Sequence, residues 1–183
     1  ISNAERGRIY GKIELFYRKH ISIFTLKEKG LEMNLPKIGA IAAEFSLPNQ
    51  DGGKTELETF KDCYLLLWWY PMADTPGWTV EGKGFRDRIQ EYEDKNIVVL
   101  GISADPIEAN LKFKEKYEFP FDLLSDVDLT VSATYGACNP GDQRTKRVSV
   151  LIGPKREVVA TFSDVNPKTH ANEVLEVFSQ LGR

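Results

Sequence analysis

The sequence predicts an α/β protein, a three-layer sandwich with a central mixed β-sheet and helices on both faces. Three observations carry this. Tyr64 to Tyr70 is apolar on both faces, as a central strand covered from two sides must be. Strand and helix patterns alternate after it, which implies parallel pairing through helical crossovers. Further on, Arg147 to Ile152 and Glu157 to Phe162 flank Gly153-Pro154-Lys155-Arg156, a hairpin that adds an antiparallel edge.

The other elements follow in order. Phe45-Ser46-Leu47 reads as a short strand and Asn49 to Gly53 as the turn back. Thr55 and Glu58 have the spacing of a capping box for a helical turn through Phe60. Phe85, Ile89 and Tyr92 recur at i, i+4, i+7 and predict a helix over about residues 78–95. Ile97 to Ile102 is the next buried strand. Asp105-Pro106-Ile107-Glu108 supplies an N-cap, a proline at the first helical position and an N3 carboxylate for a helix through Leu111, Phe113 and Tyr117. A strand at Asp122 to Leu124 and a short helix at Val127 to Tyr135, capped by Asp126, come next. The last helix starts at Asn166-Pro167 and is expected to bury Val174, Phe178 and Leu181.

Composition excludes several classes. The chain has 183 residues, enough for one domain that buries roughly two-thirds of its unfolded surface. An aromatic content of 11% is too high for a solvated disordered chain. The longest apolar run, Cys63 to Ala73, is too short to span a bilayer, so no membrane partner is expected. With 24 basic against 27 acidic side chains, no nucleic-acid footprint is visible. Only Cys63 and Cys138 are present, with no Asn-x-Ser/Thr site, and the reading is a reduced, cytoplasmic protein.

Residues 1–32 stand apart. They carry seven basic and four acidic side chains, and the first methionine is Met33. Ser2-Asn3-Ala4 has the look of a tag-cleavage scar, so the stretch reads as an added leader. Ile9, Ile13 and Phe16 at helical spacing read equally well as a native arm. Charges interrupt every candidate hydrophobic region of a signal peptide. The division expected is residues 1–32 as an N-terminal extension and 33–183 as the domain.

Most candidate motifs dissolve on inspection. Gly52-Gly53-Lys54-Thr55 lacks the upstream glycine of a phosphate-binding loop, since Pro48 stands there, and reads as a hairpin turn. His20 and His170 have no neighbouring ligands, so no metal or cofactor site is expected, and His170 is expected at the surface in the first turn of the last helix. Cys63 opens the apolar strand as a small hydrophobe. Cys138 lies in a glycine- and proline-rich loop open to solvent, and a structural or incidental role is preferred for both cysteines.

The informative segment is Tyr70-Pro71-Met72-Ala73-Asp74-Thr75-Pro76-Gly77-Trp78-Thr79-Val80-Glu81. A buried strand ends in a proline-punctuated loop and a helix begins at once, at the carboxyl end of the sheet, where α/β folds bind ligands. The helix's first turn offers free N–H groups and a positive dipole end, which would stabilise a thiolate. On physics alone the corner fits an ordinary βα loop as well.

Pro71-x-x-x-Thr75-x-x-residue 78 resembles the peroxiredoxin signature Pro-x-x-x-Thr-x-x-Cys. The stretch through Glu81 and Phe85-Arg86-Asp87 is similar to the bacterioferritin-comigratory (PrxQ) subfamily. Leu47 to Gly52, Leu100 to Asp105, Leu124-Ser125-Asp126, Tyr135-Gly136 and Arg147 to Ile152 match its further elements in order. The resemblance implies a thioredoxin-like fold and reduction of hydrogen peroxide or alkyl hydroperoxides. It implies thioredoxin or another thiol as reductant, and a monomer or homodimer. By resemblance Thr75 orients nucleophile and peroxide, Pro71 shields the thiolate, Arg147 lowers its pKa and polarises the O–O bond, and Glu81 fixes the arginine.

The departure lies at the nucleophile. Trp78 stands where the family has its peroxidatic cysteine, and Lys83 where many members have the resolving one. An indole has one N–H donor and no nucleophilic lone pair, so the chain as it stands is expected to lack peroxidase turnover. Two alternatives are a non-catalytic thioredoxin-fold binding module, with Trp78 as an aromatic anchor beside Trp68, Trp69 and Met72, and a thiol oxidoreductase working through Cys138.

Overall fold

The computed structural model describes residues 34–163 and 165–181, with Trp78 by its backbone alone. The chain divides into two units. Met33–Ala171 carries the sheet and the candidate site, and of the other unit residues 172–181 are described. The extension expected over residues 1–32 lies outside the described residues.

The first unit opens with a hairpin of β1 (Ser46–Pro48) and β2 (Lys54–Glu56), paired antiparallel with Leu47 opposite Thr55. Asn49 Oδ1 accepts the N–H groups of Asp51 and Gly53, and Gly52 takes a φ of +79°, so this glycine pair makes a turn. A 3-10 turn, Leu57–Phe60, follows. No side chain caps it, because Thr55 is committed to the hairpin ladder and Glu56 occupies the cap position.

Five further strands form the main sheet: β3 (Tyr64–Trp69), β4 (Ile97–Ser103), β5 (Asp122–Ser125), β6 (Val148–Ile152) and β7 (Val158–Phe162). Their order is β5-β4-β3-β6-β7. β3 pairs parallel to β4 and antiparallel to β6, so it is central, as its doubly apolar sequence requires. The edge at β5 is covered by the first hairpin: Leu123 N–H donates to Gln50 Oε1 at 2.8 Å, and Gln50 Nε2 to Asp122 Oδ1 at 2.9 Å.

The helices are α1 (Pro76–Asp87), α2 (Ile89–Glu93), α3 (Ile107–Tyr117), α4 (Thr130–Thr134) and α5 (His170–Leu181). The strand's alternation assigns them to two faces. Leu65, Leu67 and Trp69 pack with Phe45, Leu57 and Tyr135 on one side, where Trp69 Nε1 donates to Ser132 Oγ of α4. Trp68 and Tyr70 point the other way, with ring centroids 5.4 Å from Phe85 of α1 and 5.7 Å from Phe113 of α3. The result is the three-layer α/β sandwich.

Several local expectations are corrected. The single helix over 78–95 is two, broken at Arg88 (φ −117°, ψ 13°); Phe85 and Tyr92 still meet edge-on at 5.8 Å, which is why the periodicity ran through the break. Asp105 does not cap α3. Pro106 takes that position, and the Asp105 carboxylate turns elsewhere. α4 starts at Thr130, yet Asp126 still accepts N–H groups from Val131 and Ser132 of its first turn. In the second unit α5 continues through Leu181; Val174 is buried, whereas Phe178 and Leu181 are half-buried.

Candidate active site

The end of β3 is fixed before the corner begins. Tyr70 N–H donates to Ile102 O at 3.1 Å, and Thr145 Oγ1 donates to Tyr70 O at 2.7 Å. The Tyr70 hydroxyl donates to Asn110 Oδ1 at 2.8 Å, and Asn110 Nδ2 in turn donates to Ser125 Oγ at 3.0 Å. A buried polar network with its members paired holds its geometry.

The loop after Pro71 is clasped to the start and end of α3. Ala73 N–H donates to Asp105 Oδ2 at 2.7 Å. Asp74, in the left-handed region at φ +56°, accepts from Lys116 Nζ at 2.6 Å and Tyr117 Oη at 2.6 Å. Those two bonds hold the Asp74 carboxyl below its ordinary pKa. Thr75, extended, is the N-cap of α1, with its hydroxyl donating to Met72 O at 3.3 Å and Pro76 opening the helix.

Residue 78 therefore falls in the first turn of α1, and Arg147 reaches that turn from the sheet. A Cβ added at Gly77 would stand 2.9 Å from Arg147 Nη2, so the absence of a side chain admits the guanidinium. Arg147 Nε lies 3.5 Å from Oε2 of Glu81, one turn along the helix and 1% exposed. Burial lowers the Arg147 pKa and Glu81 opposes the shift; an arginine remains a cation across the working range.

Of the residues singled out by sequence, Glu81 and Arg147 meet, and Arg147 reaches the helix turn that Thr75 caps and Pro71 leads into. Lys83 does not join them: its Nζ lies 5.0 Å from the Tyr117 ring centroid, toward the end of α3. Sequence reasoning missed Asp105, whose partner is 32 residues away, and His170. The histidine is not at the surface. It is fully buried, with Nε2 2.8 Å from Ser149 Oγ and 3.9 Å from Glu81 Oε1. The signal was Ser149: two residues beyond Arg147, it faces the same side of the sheet.

Neither cysteine occupies the signature position of the corner. Cys138 is 7% exposed, contrary to the solvent-open loop expected, and burial, Asp142 and Asp126 push its thiol pKa up, with Lys146 opposing. Cys63 is half-buried, and burial and Asp62 raise its pKa too. Trp68 and Trp69 are fully buried and add nothing to an exposed aromatic surface. Among the described residues there is no group of three or more side chains able to hold a metal ion.

A mixed five-stranded sheet whose central strand runs into a proline-bounded corner, with an arginine–glutamate pair at the following helix, defines a thioredoxin-like peroxiredoxin fold. The family model for AhpC/TSA matches residues 38–161. The chain is 38% identical over 149 residues to peroxiredoxin Bcp of Escherichia coli (strain K12), covering 78% of this chain and 96% of that protein. It is similar to the solved structure of peroxidoxin BcpB from Mycobacterium tuberculosis, with a TM-score of 0.74, 34% identity, and 78% and 96% of the two chains covered. The bacterioferritin comigratory protein of Xanthomonas campestris, whose alkyl peroxide reduction activity its structure addresses, aligns with a TM-score of 0.71 at 26% identity, over 82% and 99% of the chains. The protein belongs to the AhpC/TSA family, among its Bcp/PrxQ peroxiredoxins.

Proposed function

We propose that this chain is a Bcp/PrxQ-type thiol peroxidase scaffold for hydrogen peroxide and alkyl hydroperoxides, in a form that lacks the peroxidatic cysteine and does not turn over. The alkyl peroxide activity of the Xanthomonas relative supports the substrate class, and the family supports a thiol reductant such as thioredoxin. The match of Pro71 and Thr75 to the family signature, at its spacing, supports placing the missing nucleophile at Trp78. We assign the domain to residues 33–183 and residues 1–32 to an N-terminal extension. Two free cysteines support the cytoplasm as compartment, and the family resemblance a monomer or homodimer.

The carrying observation is the guanidinium of Arg147 against the first turn of α1 at Gly77. With a cysteine at position 78, the helix's positive end and this cation stabilise the thiolate. The thiolate attacks the terminal peroxide oxygen, the O–O bond breaks, and the leaving alkoxide takes a proton to give alcohol or water. Sulfur is oxidised to the sulfenic acid, which two external thiols reduce back to the thiol, releasing water and a disulfide. Arg147 stabilises the charge developing on the leaving oxygen, and Thr75 orients the reactants. Tryptophan at position 78 supplies no sulfur for the first step.

Peroxide consumption with a thioredoxin system tests the reading. The chain itself is expected to leave hydrogen peroxide at the rate of the enzyme-free control, and the Trp78→Cys protein to consume it. A folded Trp78→Cys protein that fails to consume peroxide contradicts the assignment.

A further inference from the structure

Ser149, His170, Glu81 and Arg147 stand each beside the next behind the corner. Glu81 offers its carboxylate oxygens to two sides: Oε2 lies 3.5 Å from Arg147 Nε, and Oε1 lies 3.9 Å from His170 Nε2. The imidazole is itself held, with Nε2 2.8 Å from Ser149 Oγ and the Phe85 and Phe162 ring centroids 5.5 and 5.1 Å away, both edge-on. Its backbone is fixed nearby, because Tyr92 Oη donates to Ala171 O at 2.7 Å. Glu81 and His170 are both excluded from water, so solvent does not screen one from the other.

This arrangement bears on where Arg147 points. A carboxylate free to rotate presents both oxygens to a guanidinium, since the bidentate pair is the stronger geometry. That would draw the guanidinium off Gly77 and back over Glu81. Here His170 stands against Oε1, Oε2 lies toward Arg147 Nε, and Nη2 of the same guanidinium is at the helix turn.

We propose that His170 is a positioning residue of the corner: fixed by Ser149, it sets the orientation of Glu81 and through it keeps the Arg147 guanidinium aimed at the first turn of α1. The inference rests on the reading above that this turn stabilises a thiolate at position 78.

The test is the pKa of the thiol introduced at position 78 in the full-length Trp78→Cys protein. It is read from thiolate absorbance against pH and compared with Trp78→Cys/His170→Phe and Trp78→Cys/Ser149→Ala. The unsubstituted chain, which carries Cys63 and Cys138 alone, is titrated in the same way and subtracted from each. The introduced thiol of Trp78→Cys alone is expected to titrate below the ordinary cysteine value of about 8.5. In both double variants it is expected to titrate higher than in the parent by at least about half a unit, on the scale at which nearby charges act. Ser149→Ala removes only a hydroxyl, so it reads the effect should His170→Phe not fold. A parent that titrates at the ordinary value contradicts the thiolate reading itself. A depressed parent with either folded double variant unchanged or lower overturns the role of His170 alone.

Discussion

Arg147 and Glu81 meet behind the first turn of α1, Nε to Oε2 at 3.5 Å, with the carboxylate 1% exposed and the guanidinium reaching past it to Gly77. A buried carboxylate beside an arginine is costly to break from one side, because the other charge is left uncompensated. The pair therefore holds a cation at the one place where the sheet's central strand hands over to a helix.

Gly77→Ala separates position from stability. Its Cβ would meet only the far end of the Arg147 side chain, at 2.9 Å, and the helix gains propensity from the alanine. The unfolding free energy by urea titration is expected to stay within about 1 kcal/mol of the parent. In the Trp78→Cys background, however, the displaced guanidinium should let the pKa of the introduced thiol rise. A stable Gly77→Ala variant with an unaltered thiol pKa would show that the contact at Gly77 is unimportant.

Acid sensitivity should track Asp122. Burial alone would raise its pKa, but hydrogen bonds from Lys114 Nζ, Gln50 and Asn49 outweigh burial and leave it below the ordinary value of 3.8. A carboxyl with a depressed folded pKa stabilises the fold above its unfolded pKa and loses that contribution as pH falls through the folded one. Between about pH 5 and about pH 2 the parent's unfolding free energy should therefore fall more steeply than that of Asp122→Asn. Equal slopes in denaturant titrations would remove Asp122 as a contributor.

Cys138 is expected to be inert. It is buried, its thiol pKa is raised, and two carboxylates face it. After mild hydrogen peroxide treatment, peptide mass spectrometry should find Cys138 unmodified in the folded chain while an exposed control thiol is oxidised. Stoichiometric sulfenic acid or disulfide at Cys138 would reopen a redox role for it.

The frame was legible because its signals are local. β3 was readable from a run apolar on both faces, and the hairpins from turn residues whose backbone demands, such as φ +79° at Gly52, are met by type. What escaped were choices made over distance. Asp105 had the local chemistry of an N-cap, but a backbone N–H across the corner, on Ala73, claimed its carboxylate. His170 looked like an exposed residue at a helix start. Only the strand carrying Ser149 and the helix carrying Glu81 turn that position into a buried polar site. At the corner itself, Arg147 is far in sequence from Gly77 and Glu81 and was approached through the family resemblance, whereas spacing alone left the loop ordinary.

The most direct measurement is the second-order rate at which hydrogen peroxide oxidises the thiol introduced at position 78. Single-turnover mixing would compare Trp78→Cys with Trp78→Cys/Arg147→Gln at one pH. If the corner holds an anionic sulfur beside the Arg147 cation, removing that cation should slow the reaction by about 100-fold or more, the scale for losing one preorganised group that stabilises developing charge. Equal rates in two folded proteins would contradict the account.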